Sequence, residues 1–553
     1  MKAGKYLVTI AAASLYFAGT ALGDPNSPFN IRAYGAKPNS TEECAEAINR
    51  AIAACAKSGG GTVLVPAGTY VTGAIELLSH VTLHLDAGAV LKGSENLADY
   101  SQGRGRAPLI RATNAEDIAI TGRGTIDGSG TTFMDMTKTR TGPYLPKDLD
   151  PNFTRQGRDY MDAKFGEADG PVVYRSRPTR LIRFTHCKNL LVRDVTLRNA
   201  PTWTLHLDDC ENATITAISV HNNLLVPNSD GIHCTSCRRV RISDCDISCG
   251  DDAIAVTTLD NPTDRVCEDI TVTNCTLQSR SAGIRVGYGD GLIRDCTFQN
   301  LTIRESNRGI GLFVRDAGSI QNILFSNITI RTRLHTGHWW GNAEPIHLSV
   351  IPQRKDAPIG KMRNIAFSNV TAESESGIVV YSHERGAVSD ISLDNVRLHV
   401  RNSGLNAAYG GNFDLRPAYD NRFAIFRHDI AALFCRNVNG CAISRFEATW
   451  DNDLPAFFDH AIFCEQFDSL VIDGFQGRQP HMNGPRAAIA LNDGRDVIIR
   501  NCIAAPGTGT FLSCAGVEPG GLFVNNDLHH AKEALSPVET RLTRSGNRMP
   551  SQP

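Results

Sequence analysis

Four stretches decide the fold: NLLVRDVTL at Asn189–Leu197, DITVTNCTL at Asp269–Leu277, NILFSNITI at Asn322–Ile330 and NIAFSNVTA at Asn364–Ala372. Each begins on a polar residue, alternates apolar with polar positions, and then offers Asn or Asp before an apolar pivot. Alternation with period two marks a β-strand whose two faces differ. The string recurs at Asn212, Arg239, Asp390 and Asp496. Its pivots are read at Val195, Ile218, Cys245, Cys275, Cys296, Ile328, Val370 and Val396, spaced 21 to 42 residues apart. So irregular a period suits a solenoid with loops of variable length.

Between these copies runs a second series, a small residue before isoleucine. It falls at Gly231-Ile232, Ala253-Ile254, Gly283-Ile284, Gly309-Ile310, Gly377-Ile378 and Ala461-Ile462. Each coil therefore holds at least two strands joined by turns. The expected fold class is all-β, a parallel β-helix in which residues one coil apart become vertical neighbours about 4.8 Å apart. Cys44, Ile48, Ile52 and Cys55 recur on one face of a helix that Ser40 or Thr41 can cap and Gly59-Gly60-Gly61 stops. An amphipathic helix there would close the open end of the stack.

These signals divide the chain. Residues 1–23 read as a secretory signal, with Lys2 and Lys5, the apolar run Tyr6–Leu22 and a small-x-small site at Ala21-Leu22-Gly23. Residues 24–95 read as N-terminal cap and first coils, 96–530 as the solenoid, and 531–553 as a frayed tail. Two insertions interrupt the repeat, at about 128–175 (with Tyr144, Phe153, Tyr160 and Phe165) and about 402–429. Long loops on a solenoid gather on one face and often build its binding cleft; walls of that kind favour attack on chain ends. The expected location is secreted or periplasmic, with no membrane span in the mature protein.

Composition excludes several classes. Lys+Arg 56 against Asp+Glu 58, a formal charge of -2, gives no concentrated basic surface for nucleic acid. With 41% hydrophobic and 21% charged residues the chain is not disordered, and its 49 glycines lack a collagen period. Among 16 cysteines, Cys234 and Cys237 form a CxxC followed by Cys245 and Cys249. That spacing is too short for paired zinc knuckles, and the cysteines read as small apolar residues of an interior ladder. No metal and no cofactor is expected. Asn274, Asn300, Asn327 and Asn369 match a glycosylation pattern only because the repeat recurs.

Asp230 precedes Asp251 and Asp252 by 21 and 22 residues, close to one coil. Stacking then gathers three carboxyl groups on one face. Mutual repulsion raises at least one pKa and leaves others ionised, which an acid beside a base requires. An inverting glycosidase holds its acid and base about 6.5–9.5 Å apart, with room for water. Asp-Gly or Gly-Asp-Asp alone is a turn-forming sequence; two such turns one coil apart point to catalysis.

The motifs YGA at Tyr34–Ala36, GGGTVLVPAGTYVTGAIEL at Gly59–Leu77, LDAGAVLKGS at Leu85–Ser94, NSDGI at Asn228–Ile232 and CGDDAI at Cys249–Ile254 stand together in this chain. The set resembles the polygalacturonase family, glycoside hydrolase family 28 of the pectin-lyase-like β-helix superfamily, from Phe29 to roughly Val400. The resemblance implies a right-handed helix and inverting acid/base hydrolysis of a pectic or related acidic polysaccharide or oligosaccharide. It makes Asp251 the general acid, with Asp230 and Asp252 holding and activating the water. Two motifs of that family are altered. Its GHG is replaced by Ser281-Ala282-Gly283, and its RIK by Gly309-Ile310-Gly311-Leu312-Phe313. Plain homogalacturonan is therefore expected to be a weak substrate.

Substitutes stand nearby. Arg285 is positioned as a carboxylate or sulfate clamp, and His233, three residues after Asp230, is close enough to influence its proton. Arg308 and Arg315 are further candidate cations. HTGHWWGNAEPIHL at His335–Leu348 holds Trp339 and Trp340, two of only four tryptophans, and aromatic faces suit pyranose rings. His338, Glu344 and His347 are candidate contacts beside them. Two other classes share this fold, a uronate lyase and a catalytically silent glycan-binding solenoid. The first would need a base and commonly calcium, and the second has no use for three clustered carboxylates.

Overall fold

One residue of each coil stands above its counterpart in the coil before. Ile75 pairs in register with Ile110, Ile110 with Ile182, Ile182 with Leu205 and Leu205 with Ile232. The column continues through Ile254, Ile284, Ile310 and Ile346, and a later stretch runs Ile378, Leu433, Ile462, Ile489 and Leu512. All are buried. The small-residue–isoleucine series is this column. In the computed structural model, which describes residues 28–102, 105–139, 170–259, 264–337, 339–420, 425–538 and 541–550, the described strands form a 27-stranded and a 15-stranded sheet, with three two-stranded pieces beside them. The molecule is a right-handed parallel β-helix.

The 15-stranded sheet takes one strand per coil and the larger sheet takes two, as at Lys188–Arg193 and Thr196–Arg198. In later coils the two fuse into single strands such as Ser319–Thr332 and Lys361–Ser374. Inside, Phe298, Phe325 and Phe367 stack with centroids 4.8 Å apart, the spacing of the rungs themselves. The polar starters Asn189, Asn212, Arg239, Asp269, Asn322, Asn364, Asp390 and Asp496 all have φ between 53° and 58°. Asn and Asp tolerate this left-handed bend at the corner of a coil. The residues Asn274, Asn300, Asn327, Asn369 and Asn395 before later pivots do the same and add a ladder: Asn327 Nδ2 donates to Asn300 Oδ1 at 3.2 Å, and Asn369 to Asn327 at 3.1 Å.

Three expectations are corrected. Cys275 sits beneath Leu301, while Cys296 pairs with Ile323 and belongs to the neighbouring column. The pivot is therefore Leu301, and the misreading arises because Asp295-Cys296-Thr297 and Asn300-Leu301-Thr302 repeat the same pattern within one strand, Leu292–Ser306. The cap helix spans Ala45–Lys57 with Cys44 at its N-cap and no side-chain cap bond. Ser40 Oγ instead accepts from Glu42 N before the helix begins, and Glu43 Oε1 takes Ala45 N at 2.6 Å. Finally, the supposed tail closes the stack: Ala531–Ser536 pairs with Thr508–Ala515, and Thr543–Ser545 with Leu522–Val524. Short strands with weak alternation hid it.

All sixteen cysteines are buried thiols. Cys210 lies between Cys187 and Cys237 in one column, and Cys245 lies against Cys275 in another. Among the described residues no group of His, Cys, Asp and Glu is disposed to hold a metal ion, and no helix is long and apolar enough to cross a membrane. The stretch expected to be a signal sequence, residues 1–23, and the aromatics Tyr144, Phe153, Tyr160 and Phe165 lie outside the described residues. The second insertion forms a hairpin, Asn412–Asp414 with Ile425–Arg427, laid over the small sheet with Phe413 against Phe434. Arg315 fastens it through the carbonyl oxygens of Pro417 (2.9 Å) and Leu415 (3.1 Å).

The column carries the stability. Ile310→Ala should cost about 2–5 kcal/mol, whereas Leu324→Ala, at a side chain 40% exposed, should stay within about 0.5 kcal/mol. Denaturant unfolding of the two variants, followed by far-ultraviolet circular dichroism, measures the difference.

Candidate active site

Several side chains of the site occupy one slot, two residues before the aliphatic column. Read along the stack it holds Arg180, Trp203, Asp230, Asp252, Ala282, Arg308 and Glu344. The slot lies where each coil turns into a strand of the smaller sheet. Glycine lets successive turns nest. A Cβ at Gly231 would lie 2.4 Å from Ala253 O, and one at Gly250 2.3 Å from Val226 O. That close stacking, with Gly231 N donating to Asp252 O at 3.0 Å, is why the DG and GDD turns bring their carboxyls together.

Asp252 is the most fully held of the three. Its Oδ1 accepts from Ser281 Oγ (2.9 Å) and Ala282 N (3.2 Å), and its Oδ2 lies 2.5 Å from Arg285 Nε. The Arg285 contact is an ion pair, since that N–H is not aligned for a hydrogen bond. Asp251 Oδ1 accepts from Asp252 N at 3.0 Å and its Oδ2 from Asn228 Nδ2 at 3.3 Å. Asp230 Oδ2 meets His233 Nδ1 at 3.1 Å and Arg285 Nη2 at 3.9 Å, while its buried Oδ1 has no partner. Asp230 and Asp252 thus share one guanidinium, whose charge Asp251 feels without touching it.

Burial dominates the charge states. It pushes Asp251 up to about 7, reinforced by Asp252 and opposed by Arg285. Burial likewise raises Asp230 well above its ordinary value, with Asp251 and Asp252 adding to it. His233 is driven well below 6.5 by burial and by Arg285, so the ring is neutral. It is clamped between Asp230 and Thr257 Oγ1 (3.1 Å) and stacks on Trp203 at 3.7 Å.

The three aspartates open into a cleft of about 290 Å³, lined also by Trp203, Asn228, Ser281, Arg285, Tyr288, Arg308, Phe313, Trp340 and Pro417. Of the residues named from sequence, Asp230, Asp251, Asp252, Arg285, Arg308 and Trp340 meet there. Others do not. His233 is wholly buried beneath Trp203, so it orients Asp230 and does not line the cleft. Trp339 is also buried, its carbonyl taking Arg416 Nη2 at 2.6 Å. Glu344 and His347 are wholly buried, Arg315 is spent on the insertion, and His338 lies outside the described residues. Arg285 reaches the cleft, but its guanidinium faces Asp252 and Asp230. It does so across Ala255, its neighbour in register, which is too small to block it.

Trp203 and Tyr288 were missed. Trp203 could have been found, because it precedes Leu205 as Asp230 precedes Ile232. Tyr288 lies beyond the regular repeat of its strand, Ala282–Gly289, and no periodicity points to it.

Fold and cleft together give a parallel β-helix with an aspartate centre. Residues 152–408 match the model of glycosyl hydrolases family 28, and residues 28–139 that of rhamnogalacturonase A/epimerase, pectate lyase-like. A probable polygalacturonase of Vitis vinifera is 27% identical over 62% of this chain and 67% of its own. An exo-poly-alpha-D-galacturonosidase of Dickeya chrysanthemi is 30% identical over 46% of this chain, which spans about half, 47%, of that relative. The solved exopolygalacturonases of Thermotoga maritima (TM-score 0.52, 23% identity, 67% of this chain and 86% of that one) and Yersinia enterocolitica (0.55, 19%, 81% and 79%) share the fold. Over residues 152–408 the chain resembles glycosyl hydrolases family 28, and these likenesses support a glycoside hydrolase.

Asp251 makes stability depend on pH. Its folded pKa, about 7, exceeds the ordinary 3.8. The stabilisation from its bound proton is therefore complete below about 3.8 and lost as pH rises through 7. Asp251→Asn should raise the melting temperature at pH 8 and change it little at pH 4. Thermal unfolding at the two pH values measures this.

Proposed function

We propose that the protein hydrolyses glycosidic bonds of a pectic or related acidic glycan outside the cytoplasm, with inversion at the anomeric carbon. Asp251, protonated near neutral pH, gives its proton to the leaving glycosidic oxygen. Asp252 and Asp230 hold a water on the opposite side, and Asp252 takes its proton as it attacks. Arg285 touches both and fills the electrostatic place of the family's absent histidine, keeping a negative charge available on the pair. The neutral His233, pressed between Trp203 and Thr257, keeps Asp230 pointing at the cleft. What carries the reading is the set of three buried carboxyls, from two successive turns, on one cleft, two of them in contact with the Arg285 guanidinium.

The first test is a product screen. Homogalacturonan, rhamnogalacturonan and other acidic polysaccharides should yield reducing ends without ultraviolet-absorbing unsaturated sugar for at least one substrate, and the product should appear first as the inverted anomer by proton NMR. Unsaturated product would overturn hydrolysis. Asp251→Asn should lower kcat by roughly 10²–10⁴-fold or more with the fold retained; near-normal turnover would overturn the acid assignment.

The second test concerns Arg285. Arg285→Gln should move the acidic limb of the kcat/KM profile to higher pH, because the carboxyls lose the cation that favours ionisation. Arg285→Lys should restore part of that shift. A profile lowered equally at every pH would assign Arg285 only a packing role.

A further inference from the structure

We infer that Arg308 is the residue that reads the carboxylate of the substrate, in place of the arginine and lysine missing from the register of Gly311 and Phe313. The inference rests on the proposed action on an acidic glycan and names how that glycan is recognised. Arg308 begins the strand Arg308–Arg315 and pairs in register with Ala282, whose N–H holds Asp252. It thus stands one coil beyond the groups that fix the catalytic carboxyl, on the same cleft wall. A sugar seated against Asp251 and Asp252 can extend a carboxylate to it.

Its surroundings hold the guanidinium without consuming it. Arg308 is 2% exposed, and its head rests on the Phe313 ring, 4.9 Å from the centroid. Phe313 can lie there because position 311 is glycine: a Cβ on Gly311 would come within 2.5 Å of the ring. Of five N–H donors, Nη2 donates to Asp414 O at 2.9 Å, and Nε has no hydrogen-bond partner although Glu344 Oε2 lies 3.5 Å away. The nearby carboxylates are engaged elsewhere. Asp414 takes Arg416 Nε and Nη2, both at 2.8 Å, and Gly341 N at 2.6 Å. Glu344 takes Asn342 N at 2.7 Å and Asp414 N at 3.1 Å.

The spacing of the ion pairs leads to the same ligand. Arg308 Nε lies 3.5 Å from Glu344 Oε2 and its Nη2 4.0 Å from Asp414 Oδ2, longer than the 2.5 Å at which Arg285 Nε meets Asp252 Oδ2. Burial alone would raise the Asp414 carboxyl, but Arg416 and Arg308 bring it down to about 2. A planar carboxylate matches the geometry of a guanidinium. Trp340, on the same wall, offers a ring for the apolar face of the sugar.

The test uses the full-length protein with trigalacturonate, a rhamnogalacturonan tetrasaccharide, and the methyl ester of each. Arg308→Gln should raise KM for the acid forms roughly ten- to a hundred-fold, leave kcat within a few-fold, and leave the esters unaffected. Arg308→Lys, which keeps the charge but loses the paired donors, should fall between; it also serves if the glutamine variant does not fold. In the Asp251→Asn background, titration calorimetry should show the same ranking in binding. Equal losses on acid and ester, or no loss, would overturn the inference, as would failure of Asp251→Asn to bind either acid oligosaccharide. Binding that depends on Arg308 without hydrolysis by the wild type would instead uphold the inference and overturn the proposed hydrolysis.

Discussion

Parallel pairing in strict vertical register, locked by the column that runs through Ile232, Ile254, Ile284 and Ile310, is the constraint on which the site depends. Each aliphatic side chain buries its face on the one beneath, and a slip of one residue would turn it outward. The lock therefore also fixes what stands two residues earlier. Trp203, Asp230, Asp252 and Arg308 line one cleft because each is tied to a buried rung of the same ladder. Much of the site is built by repeating one local rule and varying one slot, with Asp251 and Arg285 reaching the same cleft from positions beside it.

The cleft concentrates charge that the fold would be more stable without. Asp230, Asp251 and Asp252 are buried side by side, and the water they have lost is only partly replaced by Ser281, Asn228 and Arg285. Raised carboxyl pKa values follow directly from that poor solvation. On the proposed reading, the same imbalance supplies the proton donor. One coil further on, Arg308 lines the same cleft.

The two stretches read from sequence as departures from the family pattern are built alike. At Ser281-Ala282-Gly283, Ser281 Oγ and Ala282 N cradle Asp252 beside Arg285. At Gly311 the absent Cβ makes room for Phe313, on whose ring Arg308 rests. The insertion at 402–429 becomes part of this arrangement, since Asp414 and Pro417 come from it and Arg315 is committed to holding it in place.

The sequence by itself determined the coil, the column and the three aspartates. All three are local: alternation, a small residue before isoleucine, and two turns one coil apart can be read along the chain. Local reading failed where two patterns overlapped within a few residues, as at Cys296 and Leu301, and where short strands lacked alternation, as after Ala531. What only the tertiary structure decided was allegiance. Arg285, Arg308 and Arg315 look alike as strand arginines, yet one neutralises the aspartates, one keeps donors free for a ligand and one fastens a loop. Trp339 and Trp340 are adjacent, yet one is buried and the other lines the cleft. The partners that separate them come from distant coils and from the insertion, and a long flexible cation takes its role from the anion it finds within reach, which no spacing along the chain encodes.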